Sequence, residues 1–117
     1  VYAPCALGAT INDDTIPRIK ATIIAGCANN QLAQSRHGEI IREKGILYAP
    51  DYVINAGGII NVYYETAPEG YTVEASNKHV EGIFNTLTEI FARSEKEQKS
   101  THLIADELAQ EIIQNGL

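Results

Sequence analysis

Three short apolar runs alternate with helix-like segments in the first half of the chain. The runs occupy residues 1–3, 21–25 and 46–49, and residues 15–20 and 37–44 between them carry helical signals. Continuous apolar runs of this length are typical of strands that are buried on both faces. Strands that alternate with helices indicate parallel β/α units. The pattern therefore predicts an α/β fold with a parallel sheet of three strands.

The second half of the chain has a different pattern, which predicts long helices. Apolar side chains recur at helical spacing from residue 72 to about residue 98, and Ser100 is a candidate N-cap for a last helix. A loop that contains Pro and Gly precedes the first of these helices. We therefore divide the chain into residues 1–66, which carry the strands, and residues 67–117, a helical segment.

The loops that follow the three predicted strands are the candidate functional segments. They comprise residues 4–9, 27–31 and 50–58, and all three are rich in small residues and amides. Ligands of parallel sheets bind beyond the carboxyl ends of the strands. In the third loop an apolar run, residues 52–54, resembles a short strand that delivers Asn55 to two glycines, where the backbone can take a positive φ or approach a ligand closely. Two interpretations are open: a ligand-binding amide, or a tight turn in which Asn55 caps the next helix.

Composition and charge argue against several classes of function. The net charge of -6, with only nine scattered Lys and Arg residues, argues against nucleic-acid binding. No apolar run approaches the roughly 20 residues of a membrane span, so we expect no membrane partner and a cytoplasmic protein. Two cysteines, Cys5 and Cys27, form neither a disulfide framework nor a metal motif, and we expect reduced thiols and no bound metal.

The residues that commonly carry chemistry form no recognisable catalytic arrangement. The glycine fingerprint G-x-G-x-x-G and the P-loop are absent. His37, His79 and His102 lie in three different predicted helices, the first at the start of its helix and the other two on the surface. The lysines lie in helical or charged surroundings, without the burial that lowers the pKa of a catalytic lysine. We expect no catalytic residue in this chain.

Three sequence blocks strongly resemble the leucine dehydrogenase branch of the Glu/Leu/Phe/Val amino-acid dehydrogenases. They are A-P-C-A-L-G-A at residues 3–9, I-A-G-C-A-N-N-Q-L at residues 24–32, and Y-A-P-D-Y-V-I-N-A-G-G at residues 48–58. Their order and spacing match that family, and the resemblance continues through V-E-G-I at residues 80–83. It covers nearly the whole chain and is specific.

The resemblance implies the architecture and the activity of a parent protein. Residues 1–66 would be the carboxyl-terminal half of an NAD-binding Rossmann domain, and residues 67–117 would be the carboxyl-terminal helical segment. The catalytic lysine and the glycine fingerprint of the family would precede Val1. The parent would oxidatively deaminate a branched-chain L-amino acid to its 2-oxo acid and pass the hydride to NAD. We also expect a homo-oligomer.

The resemblance also assigns roles to residues of the cofactor site. Cys5 and Ala6 would line the cofactor ribose, and Asn29 and Asn30 would approach the nicotinamide. Asn55 would place the nicotinamide carboxamide or the substrate amino group. Amides and backbone groups suit this task because they orient a neutral ring without adding charge.

Two residues of the first long helix are candidates for the substrate pocket. Val80 and Ile83 lie three positions apart and so share one helical face. In the family that the chain resembles, this segment helps to close the pocket around the substrate side chain, and two branched aliphatic residues suit leucine, isoleucine or valine. Gly82 between them would let the helix approach another backbone closely. The alternative is that both aliphatic residues only fill a core between domains.

Two other classes of function remain open from the residues alone. The chain can be a non-catalytic nucleotide-binding module, a half-Rossmann domain that another chain completes. It can also be a structural α/β piece that binds nothing. The fold by itself does not decide among these classes, because one fold hosts many functions.

Overall fold

The computed structural model describes residues 1–116. A small parallel sheet lies in the first half of the chain, and helices make up most of the second half. The strands are β1 (Ile23–Ile24) and β2 (Leu47–Tyr48), a 3-10 turn covers Ile16–Arg18, and the helices are α1 (Ser35–Glu43), α2 (Asp51–Ile54), α3 (Gly57–Thr66), α4 (Val73–Glu97) and α5 (Thr101–Asn115).

The sheet confirms the α/β class but has two strands rather than three. Strands β1 and β2 pair in parallel, and they fall inside the predicted runs 21–25 and 46–49. The first predicted strand contributes only a single parallel bridge between Tyr2 and Ile24. Pro4 lacks an N–H group, so it cannot continue the ladder that Tyr2 begins. The prediction of three strands is therefore not confirmed.

Helix α1 covers one face of this sheet. Ile41 is fully buried in a cluster with Ile11, Ile24 and Tyr48. The helix begins at residue 35 rather than 37, because the backbone N–H of Gln34 donates to His37 Nδ1 at 3.0 Å and fixes the first turn. His37 thus lies inside the first turn and is buried. The helix ends before Gly45, whose φ of +72° is the left-handed stop that the sequence predicts.

Residues 51–58 differ from the prediction. The apolar run 52–54 lies in helix α2 and not in a strand, and a run of three apolar residues cannot by itself distinguish the two. The Asp51 carboxylate lies in the first turn of α2, where a negative charge is favoured by the helix dipole. Gly57 and Gly58 belong to helix α3 and neither has a positive φ. The predicted glycine turn is therefore wrong.

The two long helices agree with the sequence pattern. Helix α4 begins after Thr72, whose hydroxyl accepts from the Ala75 N–H at 3.2 Å, and it ends at Gln98, whose φ is 55°. Ile90 of α4 packs against Ile104 of α5 in a second core cluster. Within residues 1–116, no helix combines the length and the apolar character needed to cross a membrane.

Helix α5 is tied back to the sheet by its first residue. Ser100 occupies the N-cap position, as predicted, but its hydroxyl makes no capping hydrogen bond and has no partner among residues 1–116. The buried Thr101 hydroxyl instead donates to the Tyr48 carbonyl at 2.7 Å. The end of strand β2 is thus capped by a side chain from the last helix.

Candidate functional site

Three loops meet at the carboxyl edge of the sheet. Residues 4–9 and 27–31 are joined by a hydrogen bond from the Ala9 N–H to the Asn30 carbonyl at 2.7 Å. The third loop reaches the second through Asn55, whose Nδ2 donates to Asn29 Oδ1 at 2.6 Å and to the Cys27 carbonyl at 3.3 Å. The small residues and amides of these loops therefore lie in one cluster, which we call the loop cluster (residues 4–9, 27–31 and 50–58).

Two glycines allow the first two loops to touch backbone to backbone. A Cβ on Gly26 would lie 2.3 Å from the Pro4 carbonyl oxygen, and a Cβ on Gly8 would lie 2.8 Å from the Asn29 carbonyl oxygen. Real Cβ atoms do not approach other atoms so closely, so both positions require glycine. Asn30 takes a left-handed φ of 53°, a conformation that Asn tolerates better than most residues. The loop composition thus follows from close packing as well as from any ligand.

The Asn55 side chain is not a helix cap. Asn55 ends helix α2, and the N-cap position of α3 is Ala56, which makes no side-chain capping bond. The interpretation in which Asn55 caps the next helix is therefore wrong. Both of its side-chain hydrogen bonds use Nδ2, so Oδ1 remains open as an acceptor within residues 1–116.

Two polar residues that the sequence did not single out, the buried Gln31 and the half-buried Asp51, hold the second loop in place. Gln31 is fully buried, and its Nε2 donates to the carbonyls of Gly26 at 2.8 Å and Ala28 at 2.9 Å. Its backbone N–H donates to Asp51 Oδ2 at 2.8 Å. Asp51 follows Pro50 and begins helix α2. A Pro-Asp pair is a sequence signal for the start of a helix, and it could have identified Asp51.

The cofactor-site candidates of the loop cluster are exposed or half-buried. Cys5, Ala6, Asn29 and Asn30 are exposed, and Asn55 is half-buried. The Cys5 thiol lies beside that of Cys27 and raises the pKa of the Cys27 thiol. Within residues 1–116, no group of three or more His, Cys, Asp or Glu side chains is placed to hold a metal ion.

The two substrate-pocket candidates have different surroundings. Ile83 lines a cavity of about 340 Å³ between α2, α3 and α4, together with Ala56, the neighbour of Asn55. Val80 lies one turn earlier on α4 and is 36% exposed. A Cβ on Gly82 would meet nothing within 4 Å, so the expected close approach of another backbone at Gly82 is not found among the described residues.

A second polar cluster lies next to the loop cluster and corrects one prediction. His102 is not a surface residue: its ring lies against Gly38, where a Cβ would come within 2.2 Å of Nδ1. The other ring nitrogen, Nε2, is 2.8 Å from the Ser35 hydroxyl. Burial lowers the pKa of His102, while the charges of Asp106 and Glu39 oppose that effect. The imidazole therefore favours its neutral form.

The fold is that of an α/β protein, and the loop cluster lies at the carboxyl ends of its parallel strands, where ligands of such sheets bind. Residues 1–114 match the family described as Glutamate/Leucine/Phenylalanine/Valine dehydrogenase. The chain belongs to this family of amino-acid dehydrogenases.

Similar proteins support the resemblance found in the sequence. The chain is 56% identical to the leucine dehydrogenase of Bacillus cereus over 113 residues, which are 97% of this chain and 30% of that protein. It is 55% identical to the leucine dehydrogenase of Bacillus subtilis (strain 168), over 97% of this chain and 31% of that protein. It also superposes on the crystal structure of L-tryptophan dehydrogenase from Nostoc punctiforme with a TM-score of 0.91 and 49% identity, over 97% of this chain and 34% of that one. The chain thus spans about a third of the length of these relatives.

Proposed function

We propose that the protein to which these residues belong is an NAD-dependent dehydrogenase that oxidatively deaminates branched-chain L-amino acids. In this proposal residues 1–66 belong to the cofactor domain, residues 67–117 form the helical segment, and the parent is a homo-oligomer. A branched-chain substrate is supported by identities of 56% and 55% to leucine dehydrogenases, against 49% to the structure of a tryptophan dehydrogenase.

The observation that carries the proposal is the orientation of Asn55. Its amide makes no capping bond to helix α3 and is held by Asn29 and the Cys27 carbonyl, so that Oδ1 has no donor among the described residues at the edge where ligands of parallel sheets bind. A nicotinamide carboxamide presents an N–H donor that matches this acceptor. The family implies a nicotinamide cofactor, and the neutral amide and backbone groups of the loop cluster fit one.

In this proposal each residue has a limited task. NAD supplies the hydride acceptor when it is bound. Asn55 would orient the carboxamide, and Asn29 would hold Asn55 in that orientation. Cys5 and Ala6 would line the ribose, while Asn30, next in sequence to Asn29, would approach the nicotinamide.

The substrate side of the site would be divided between this chain and the rest of the parent. Ile83 and Val80 would contact the substrate side chain and exclude water from the site. Asn55 is also a candidate for the substrate amino group. The lysine that acts as general base would lie in the remainder of the parent protein.

Steady-state kinetics of the parent protein test this proposal. We expect NADH formation from L-leucine, and we expect Asn55→Ala to raise the KM for NAD about tenfold because a hydrogen bond to a ligand contributes up to about 1.4 kcal/mol. Asn77→Ala is the matched control, because Asn77 is an exposed amide on α4. An unchanged KM in Asn55→Ala, or an equal rise in the control, would remove Asn55 from the cofactor site.

A further inference from the structure

The two cysteines lie in adjacent segments that run in parallel. Tyr2 pairs with Ile24, and beyond this bridge Pro4, the neighbour of Cys5, contacts the residues on both sides of Cys27. The Pro4 carbonyl accepts from the Ala28 N–H at 2.9 Å, and a Cβ on Gly26 would strike Pro4.

The spacing of the two segments suits a disulfide. The hydrogen bond from the Ala28 N–H to the Pro4 carbonyl holds the two backbones at about the 4.8 Å separation of neighbouring strands, and disulfides join Cα atoms that are roughly 4.4–6.8 Å apart. Both thiols are free and exposed, so a dissolved oxidant can reach them. The Cys5 thiol is the main cause of the raised pKa of the Cys27 thiol, as expected of side chains that lie next to each other.

We propose that Cys5 and Cys27 form a reversible redox pair, which closes to a disulfide when the protein meets a low-molecular-weight disulfide such as oxidised glutathione. One cysteine thiolate attacks a sulfur of the oxidant, whose S–S bond breaks and releases one glutathione thiolate. The second cysteine thiolate then attacks the mixed disulfide, forms the Sγ–Sγ bond and releases the second glutathione. The pair loses two protons and two electrons, and the oxidant is reduced to two glutathione thiols.

Peptide mapping tests the proposal on the native protein. The protein is equilibrated with reduced and oxidised glutathione, its free thiols are alkylated, and it is digested with trypsin. Trypsin cleaves after Arg18 and Lys20, between the two cysteines, so that only a disulfide can hold the two peptides together. We expect the linked peptides to be the main oxidised product and to disappear on treatment with dithiothreitol. A stable glutathione adduct on either cysteine, or a disulfide between two chains, would overturn the proposal.

Two comparisons distinguish a disulfide favoured by the folded contact between the segments from one formed by random closure of a flexible chain. In denaturant at the same glutathione ratio, we expect the ratio of linked to open peptides to fall at least about tenfold, because the segments no longer hold the thiols together. The double variant Cys5→Ser with Leu7→Cys keeps two thiols and moves one of them along the loop to a residue that is 75% exposed. We expect it to link no better than the denatured protein. Equal linkage in any of these samples would contradict the proposal.

The oxidation has a consequence for the cofactor, which rests on the proposed function. Since that proposal places Cys5 against the ribose, we expect the disulfide to raise the KM of the parent for NAD, and dithiothreitol to restore it. Cys27→Ser retains Cys5 but lacks the second thiol, so oxidised glutathione should give it only a mixed disulfide at Cys5 and no linked peptides. A disulfide that forms without changing this KM would count against the cofactor role of Cys5 and leave the redox pair in place.

Discussion

Asn55 Nδ2 donates to Asn29 Oδ1 at 2.6 Å, a contact between loops that are 26 residues apart in the sequence. Asn29 therefore acts on the proposed cofactor site through Asn55 and is a positioning residue. Without the Asn29 acceptor, the Asn55 amide would keep only its longer hydrogen bond to the Cys27 carbonyl, at 3.3 Å.

We expect Asn29→Ala in the parent protein to raise the KM for NAD about fivefold, because a net hydrogen bond contributes about 1 kcal/mol. The value of kcat should change less. Asn29→Asp keeps an acceptor for Asn55 Nδ2 and should retain the original KM. If the Ala and Asp variants behave alike, the contact does not position Asn55.

Gly26→Ala should lower the free energy of unfolding by roughly 1–3 kcal/mol, because its Cβ would lie 2.3 Å from the Pro4 carbonyl and the loops must move apart. Gly58→Ala is the matched control. Its Cβ would meet nothing within 4 Å among the described residues, and alanine favours a helix over glycine by up to about 1 kcal/mol. Urea denaturation measures both. A Gly26→Ala variant as stable as the original protein would contradict the close packing of these loops.

The free energy of unfolding should decrease as the pH is lowered, because His102 becomes protonated. Burial lowers the pKa of His102 in the folded protein, so below its ordinary value of 6.5 the unfolded chain binds a proton that the folded chain does not. The contribution of this residue is therefore complete above pH 6.5 and is lost as the pH falls towards the lowered folded-state pKa. Asp106 and Glu39 moderate the effect, because their charges favour the protonated ring.

Denaturation at several pH values in the acidic range checks this expectation. His102→Gln should show a smaller loss of stability between pH 6.5 and the acid range than the original protein does. His79→Gln serves as the control, because it removes an exposed imidazole on α4. Parallel plots of the free energy of unfolding against pH for the original protein and the His102 variant would show that His102 does not cause the pH dependence.

Trimming both Val80 and Ile83 to Ala in the parent should reduce the efficiency on L-leucine relative to L-phenylalanine. The expected change in the ratio of kcat/KM values is roughly tenfold, because a methylene of fit in an apolar pocket contributes about 1–3 kcal/mol. Phe84→Ala is the control, since Phe84 lies on the same helix and is 75% exposed. An unchanged ratio would assign both aliphatic residues to packing, and the substrate preference would then rest on the relatives alone.

The sequence predicted most accurately what local chemistry determines. The extent of helix α4 was predicted from the helical spacing of its apolar residues between positions 72 and about 98, and the end of α1 from Gly45. The loop cluster could also be anticipated, because the carboxyl ends of parallel strands lie on one edge.

Features that depend on distant contacts were predicted less well. The apolar run 52–54 becomes helical although its composition suits a strand equally well, and Asp51 in its first turn bonds to Gln31, a residue that is far away in the sequence. The His102 ring is half-buried because Gly38, on another helix, leaves room for it. No periodicity within one segment can reveal such a pairing.

During biosynthesis, the hydrogen bond from Thr101 to the Tyr48 carbonyl cannot form until Thr101 has been added to the chain. Thr101 follows Tyr48 by 53 residues. A ribosome adds about 5–20 residues per second, so Thr101 is polymerised roughly 3–10 s after Tyr48. During that interval the buried carbonyl at the end of β2 lacks its native donor. Nascent chains stalled before residue 101 should therefore be cleaved more readily near Tyr48 by added protease than chains that have passed it.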